Sequence, residues 1–77
     1  MRVKVELQAY LDKYAPNGQT VFEFELAEGA TVQSLIRSLN LPEELASVII
    51  LNDTSADFSH PLHDGDRVTV IPPLAGG

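Results

Sequence analysis

The feature that most constrains this chain is a change in the spacing of its apolar residues. In the runs RVKVELQ and TVFEFEL, apolar and polar side chains alternate, which is typical of strands with one buried face. In TVQSLIRSLN the apolar residues recur three and four positions apart, which is typical of one face of a helix. Two strands followed by a helix predict an α+β fold in which a helix covers one side of a sheet.

The two alternating runs predict an antiparallel hairpin. The loop between them contains Pro16, Asn17 and Gly18, which favour a turn. The residues expected on the buried face of the hairpin are Val3, Val5, Leu7, Ala9, Phe22, Phe24 and Leu26.

The helix is expected to begin after Thr31, whose hydroxyl can cap the first turn, and to end near Asn40. Pro42 suits the start of a second, single helical turn in PEELAS. The apolar face predicted to pack on the sheet consists of Val32, Leu35, Ile36 and Leu39.

Two further strands are predicted after these helices. VIILN is apolar and rich in β-branched residues, so we expect a central strand that is covered on both faces. DTSADFSH is expected to be a loop, Gly65 marks a turn, and RVTVI forms the last strand. The residues of these strands expected to pack on the helix are Val48, Ile50 and Val70.

Composition limits the functions open to the chain. Its 77 residues suffice for one small domain, and the absence of cysteine excludes disulfides and thiol chemistry. Eleven acidic residues outnumber five lysines and arginines, so we expect phosphate backbones to repel the chain and no nucleic acid to bind. The charge either attracts a protein partner with a basic surface or serves solubility alone.

The same sequence predicts a cytoplasmic protein that does not enter a membrane. No run is apolar and long enough to cross a bilayer, and the first residues contain no secretory segment. No self-contained active site is predicted either, because the sequence offers no nucleophile–base pair and no phosphate-binding loop. His60 and His63 lie close in sequence, but turn formation explains the HDGD stretch better than a metal site, so no metal is expected. Tyr10 and Tyr14 are interpreted as packing or loop residues.

The last residues, VIPPLAGG, combine two prolines that stiffen the backbone with two glycines that remove side chains. Taken alone, such a segment is more often a fraying terminus than a functional one. An ionised carboxyl at the end of a thin segment could nevertheless enter a narrow site on another protein, since the six residues 72–77 extend over about 20 Å. We therefore expect residues 1–77 to form a single domain in which residues 72–77 are a flexible tail.

The order of elements and the tail together resemble the ubiquitin-like β-grasp sulfur carriers. The segments that carry the resemblance are EGATVQSLIRSL, PLHDGDRVTVIPP and the final LAGG. With its proline pair, the chain looks most like the small subunit of molybdopterin synthase and less like the thiamine sulfur carrier. The resemblance implies a β-grasp fold, with a mixed sheet of four to five strands and one main helix on one face. The chain departs from the pattern where Asp53 follows Asn52, since relatives often have an Asn-Gly turn there.

The resemblance also implies a chemistry for the terminal carboxyl. An adenylyltransferase of the ubiquitin-activating type would use ATP to adenylate Gly77, and sulfur would then replace one oxygen to give a thiocarboxylate. The chain would hold no permanent cofactor and would not be an enzyme alone. It would donate sulfur to a pterin precursor within a complex with the large subunit of molybdopterin synthase.

The expected site residues are those of the tail and one aromatic residue. Leu74 is expected to anchor the tail in a partner's groove, and Phe58 to lie in an apolar patch with Leu62, Ile71 and Leu74, unless Phe58 and Leu62 complete the core instead. The reacting residue is Gly77, and the expected partner-binding residues are Pro72, Pro73, Leu74, Ala75, Gly76 and Phe58.

Other functions begin from the same activated carboxyl. Gly77 could form an isopeptide bond with a lysine of a target protein, as in a ubiquitin-like modifier, or could carry sulfur for thiamine or another thiolation pathway. In a third alternative the domain only binds a partner, and the tail is dispensable.

Overall fold

The computed structural model describes residues 1–73, so Leu74, Ala75, Gly76 and Gly77 lie outside the described residues. The elements of the described part are β1 (Arg2–Leu7), β2 (Val21–Glu25), α1 (Val32–Ser38), β3 (Val48–Leu51), β4 (Thr54–Ala56) and β5 (Arg67–Ile71). Two 3₁₀ segments, Ala9–Tyr14 and Pro16–Gly18, connect β1 to β2, and a third, Glu43–Leu45, follows α1.

The strands form one mixed sheet in the order β2-β1-β5-β3-β4. At its centre β1 and β5 run parallel, with Val5 opposite Val68 and Leu7 opposite Val70. All other neighbouring strands of this sheet are antiparallel, including the hairpin predicted from the alternating runs. With α1 on one face, this confirms the α+β class and the β-grasp arrangement.

The core lies between α1 and the inner face of the sheet. Leu35 and Ile36 are completely buried, and the apolar helical face predicted from the sequence is confirmed. The strand residues buried beneath it are Val3, Val5, Leu7, Ile49, Leu51, Val68 and Val70. Phe22 and Phe24 pack against this core but are only half-buried, because β2 is an edge strand.

Both ends of α1 are capped by local contacts. The Thr31 side chain accepts a hydrogen bond from the Ser34 amide at 3.3 Å, and the Ser34 hydroxyl accepts one from the Thr31 amide at 3.1 Å. At the other end Asn40 adopts a φ of 57°. The Asn40 amide then donates to the Arg37 carbonyl and the Leu41 amide to the Ile36 carbonyl, which is the Schellman pattern. The predicted start and end of the helix are therefore confirmed.

The prediction that β3 is covered on both faces is wrong. Ile49 and Leu51 are buried, whereas Val48 is 40% exposed and Ile50 is half-buried on the outer face of the sheet. The predicted core residues Val48 and Ile50 therefore point away from the helix. A uniformly apolar run carries no alternation that reveals its inward residues, and a shift of one residue exchanges the two faces.

Two local predictions are also corrected. Ala9 does not continue the buried face of β1, because it has a φ of 55° and begins an exposed 3₁₀ segment. Part of the predicted loop DTSADFSH is strand β4, which pairs with β3 through a two-residue turn. Both turn residues have positive φ, 50° for Asn52 and 71° for Asp53, so Asp53 adopts the backbone that glycine often supplies in such turns.

The register of β3 can be tested by comparing two neighbouring truncations. Ile49→Ala should lower the free energy of unfolding by about 2–5 kcal/mol, because it leaves a cavity in the core. Val48→Ala, on the outer face, should lower it by roughly 0.5 kcal/mol. Denaturant unfolding of both variants provides the measurement, and equal losses would contradict the register described here.

Candidate functional site

The candidate site is the end of β5, where the chain leaves the sheet toward the predicted tail. Here the Val70 carbonyl accepts a hydrogen bond of 3.0 Å from the Gln8 amide, and Ile71 lies opposite Val48. Pro72 is buried and Pro73 is exposed. The body of the protein thus holds the chain up to Pro72, and the exit point is flanked by the start of β3 and the segment after β1.

Tyr10 contacts the chain at this exit. Its hydroxyl donates a hydrogen bond of 3.3 Å to the Pro73 carbonyl, although the side chain itself is 45% exposed. The positive φ of Ala9 turns the chain out of β1, and Leu11, which is completely buried, fixes the 3₁₀ segment to the core. Sequence reasoning placed Tyr10 in the loop but missed this contact, because 63 positions separate the two residues.

A second feature of the exit is an apolar strip on the outer face, formed by Val48, Ile50 and Ile71, which we call the outer strip. Val48 is opposite Ile71, and Ile50 is opposite Thr69 on the same pair of strands. All three apolar side chains are exposed or half-buried. Sequence reasoning identified only Ile71 as a surface residue, since the other two were predicted to lie in the core.

Phe58 and Leu62, the other predicted members of an apolar patch, lie on the helix side of the sheet. Leu62 is 3% exposed and belongs to the core, whereas Phe58 is half-buried and packs against the core. The Phe58 carbonyl accepts a hydrogen bond of 2.9 Å from the Gln33 amide at the start of α1. Of the two alternatives predicted for Leu62, the structure therefore confirms that this residue completes the core. The roles predicted for Leu74, Ala75, Gly76 and Gly77 concern residues outside the described part.

The acidic residues near His60 and His63 hold the backbone of their loops. Asp64 accepts a hydrogen bond of 2.7 Å from the Arg2 amide, and Asp66 accepts one of 2.8 Å from the His63 amide. The His60 Nδ1 atom lies 2.9 Å from the Pro61 carbonyl oxygen. Within residues 1–73, no group of three or more histidine or acidic side chains is placed to bind a metal ion.

Asp57 begins the loop that leads to Phe58. Hydrogen bonds from the Ser59 hydroxyl at 2.8 Å and the Ser59 amide at 3.0 Å hold the pKa of its carboxyl below the usual value. The Asp57 carboxyl therefore stays ionised at neutral pH and contributes one negative charge to the surface.

The cations of the outer face lie at the end of the sheet remote from the exit. Arg2 is paired with Glu25 at 3.2 Å and with Glu23 at 3.4 Å. The hydrogen bond to Glu25 and the charge of Glu25 raise the pKa of the Arg2 guanidinium. Arg67 is paired with Asp53 at 3.0 Å. These side chains are largely exposed, so each pair adds little to stability.

The described residues contain no helix of the length and apolar character that spanning a membrane requires.

Comparison with known sequences identifies the relationship. The sequence pattern of the ThiS family matches residues 6–77, nearly the whole chain. The chain belongs to the ThiS family. This result, together with the solved structures below, confirms the resemblance to ubiquitin-like β-grasp sulfur carriers. A further relative is Protein RnfH of Escherichia coli O81 (strain ED1a), which is 35% identical over 65 residues that cover 77% of this chain and 68% of the relative.

Solved structures similar to this ThiS-family chain include two molybdopterin-converting factors. The putative molybdopterin converting factor subunit 1 of Pyrococcus furiosus is 31% identical, has a TM-score of 0.74, and matches over 95% of this chain and 98% of its own. The complex of subunits 1 and 2 of molybdopterin-converting factor from Helicobacter pylori 26695 contains a chain that is 28% identical, with a TM-score of 0.66 and full coverage of both chains. Small archaeal modifier protein 1 of H. volcanii, at 17% identity, a TM-score of 0.76, and 95% and 98% coverage, shares the fold.

The Tyr10 contact can be tested by removing only its hydroxyl. Tyr10→Phe should lower the free energy of unfolding by no more than about 1 kcal/mol, because the hydrogen bond is exposed. It should, however, change the ¹³C chemical shift of the Pro73 carbonyl in NMR spectra. Tyr14→Phe is the matched control, since Tyr14 lies at the other end of the same 3₁₀ segment. A Pro73 shift that is the same in wild type and Tyr10→Phe would contradict the contact.

The lowered pKa of Asp57 predicts a pH dependence with a definite sign. Because the folded pKa lies below the unfolded one, the stability that Asp57 contributes is fully present above the ordinary value of about 3.9. It is lost as the pH falls through the folded pKa. Wild type should therefore unfold less readily than Asp57→Asn at pH 7, and the difference should shrink as the pH falls below the ordinary carboxyl pKa. A stability difference that does not depend on pH would show that the carboxylate is not responsible.

Proposed function

We propose that this protein is a sulfur carrier whose Gly77 carboxyl becomes a thiocarboxylate and donates sulfur in molybdopterin synthesis. The observation that carries the proposal is the membership of the chain in the ThiS family, with a match that extends through Gly77. The fold supports it, because β5 leads directly into the proline pair and the two glycines. In this role the chain is the small subunit of a synthase and not an enzyme by itself.

The proposed chemistry needs an activated carboxyl. A carboxylate is a poor electrophile, so one of its oxygens first attacks the α-phosphorus of ATP, and pyrophosphate leaves. A donor of sulfur at the oxidation level of sulfide then attacks the acyl adenylate carbon, and AMP leaves with the electron pair of the broken C–O bond. The product is a thiocarboxylate on Gly77, and no cysteine in this chain is required.

The partner in the first step is an adenylyltransferase of the ubiquitin-activating type. This enzyme, and not the carrier, binds the ATP. The body of this chain supplies a surface that such an enzyme can hold. The outer strip lies directly beside the exit of β5, so a partner that receives the segment after Pro73 can bury Val48 and Ile71 at the same time. An exposed apolar surface beside a reacting terminus is a typical protein interface.

The molybdopterin pathway is favoured over other thiolation pathways by the solved structures with higher identity. The chain from P. furiosus, at 31% identity, is named as a subunit of a molybdopterin converting factor. The H. pylori structure contains subunits 1 and 2 together, so the second partner proposed here is the large subunit of molybdopterin synthase. No other component is required for sulfur transfer to the pterin precursor in this proposal.

A second candidate is a ubiquitin-like modifier. The same adenylated Gly77 would then form an isopeptide bond with a lysine amine of a target, and AMP would leave. Small archaeal modifier protein 1 shares the fold but is 17% identical, so this similarity bears on architecture and not on the reaction.

Deleting Gly77 tests the proposal directly. We expect the shortened protein to keep its free energy of unfolding, because the core lies within residues 3–70, and to lose all thiocarboxylate formation. Intact-mass spectrometry after incubation with the activating enzyme, ATP and a sulfur donor gives the readout, since replacing oxygen by sulfur adds about 16 Da. Glu28→Gln is the control, because it changes an exposed side chain beside the amino terminus, at the end of the sheet remote from the exit.

The outcomes separate the candidates. A mass increase in wild type and in the control, with none after Gly77 deletion, supports the carrier. Larger conjugates that disappear on deletion support the modifier. Sulfur transfer that persists without Gly77 would overturn both.

A further inference from the structure

A shallow groove of about 440 Å³ lies on the helix side of the sheet, close to the exit of β5. Its apolar lining is provided by Ala46, Ile49, Ala56 and Phe58. Its position follows from the register, because Ser47 on its border precedes Val48, which pairs with Ile71. The groove therefore lies at the same end of the sheet as the chain exit, and one of its strands, β3, is the neighbour of β5.

Three carboxylates border this apolar lining, namely those of Glu43, Glu44 and Asp57. The Glu43 carboxylate lies 3.4 Å from the Arg37 guanidinium and accepts a hydrogen bond of 3.3 Å from the side-chain Nε2 atom of Gln33, so its charge is partly balanced. The hydrogen bonds that Asp57 accepts come from neutral groups of Ser59, so its negative charge remains. Glu44 is exposed, and within residues 1–73 its carboxylate has no hydrogen-bond or ion-pair partner.

We propose that this groove binds a protein segment that places one apolar side chain between lysine or arginine residues. The apolar lining suits a single aliphatic side chain, and the charges of Glu44 and Asp57 on the border suit flanking cations. A second copy of this chain is a poor occupant, because each copy carries a net charge of −6. A phosphate-bearing ligand is repelled for the same reason.

The position of the groove also indicates which partner brings this segment. A protein that binds the segment after Pro73 lies over the exit, and Ser47 and Glu44 are within its reach on the β3 side. The statement that one partner both receives the tail and fills the groove rests on the proposed function. Binding of a basic, apolar segment to the groove is independent of that function.

A peptide titration tests the groove independently of any sulfur chemistry. The probe is a capped pentapeptide with a central leucine and two lysines on each side, added to the ¹⁵N-labelled full chain at low salt. We expect amide shifts concentrated in residues 43–47 and 56–58. Binding should weaken several-fold in 0.5 M salt, because the border charges are exposed and screened. A peptide with serine in place of leucine should bind at least about 5-fold more weakly.

Charge reversal on the border provides the matched variants. Glu44→Lys should weaken binding of the leucine peptide by roughly 5–10-fold at low salt, and Glu44→Gln by about half that factor. The control is Glu28→Lys, which makes the same change of charge at a side chain that is 87% exposed and lies beside the amino terminus at 3.6 Å. It should leave binding unchanged within about 2-fold.

The outcomes decide the inference. The proposal that the groove binds such a segment would be overturned by any of three results. These are equal binding of the leucine and serine peptides, shifts mainly on the outer strip, or equal effects of Glu44→Lys and Glu28→Lys. In adenylation assays with the activating enzyme, Glu44→Lys should raise the KM for the carrier roughly 5–10-fold and leave kcat unchanged. If wild type is not adenylated at all, the proposed function fails, whereas the peptide titration still shows whether the groove binds a basic, apolar segment.

Discussion

The parallel pairing of β1 with β5 is the contact on which the rest of the structure depends. It joins residues 4–7 to residues 67–70, so the pair closes a loop that contains most of the chain, at a cost in conformational entropy. Parallel neighbours require a long crossover, and here the crossover contains β2, α1, β3 and β4. The pairing also places the segment that follows β1 beside the exit, where Gln8 and Tyr10 contact Val70 and Pro73.

This arrangement divides the molecule into a body and a segment that it presents. In the proposed reaction the group that changes is a main-chain carboxyl, so no side chain of the body has to act as acid, base or nucleophile. Several polar residues near the turn before β5 have structural partners. Asp64 and Asp66 accept backbone hydrogen bonds, and Asn52 donates to Asp66 at 2.8 Å and accepts from the Arg67 amide. These contacts tighten the turn before β5 and so fix the direction in which that strand begins.

Two surfaces of different character lie on either side of the exit. The outer strip is apolar and is continuous with the end of β5, whereas the groove combines an apolar lining with acidic borders. The arginines of the outer face are paired with neighbouring carboxylates at the remote end of the sheet. A partner that approaches the exit therefore meets apolar surface on one side and net negative charge on the other, which favours one orientation over its reverse.

The sequence by itself determined the type and order of the main elements, but not strand β4 or the 3₁₀ segments that follow β1. The change of spacing from alternation to three and four residues identified β1, β2 and α1, and Thr31 and Asn40 marked the helix ends, because these signals depend on neighbouring residues. The resemblance, carried by the same segments and the tail, correctly predicted the family.

Only the tertiary structure decided which residues face which way and which distant residues meet. The run Val48–Leu51 has apolar residues on both faces, so its inward residues depend on pairing with β5 and not on the run itself. Leu62 enters the core, and Tyr10 reaches Pro73, through contacts between segments far apart in the chain. The groove likewise combines residues that follow α1 with residues of β3 and β4. No local pattern encodes such contacts, because they exist only once the sheet has brought the segments together.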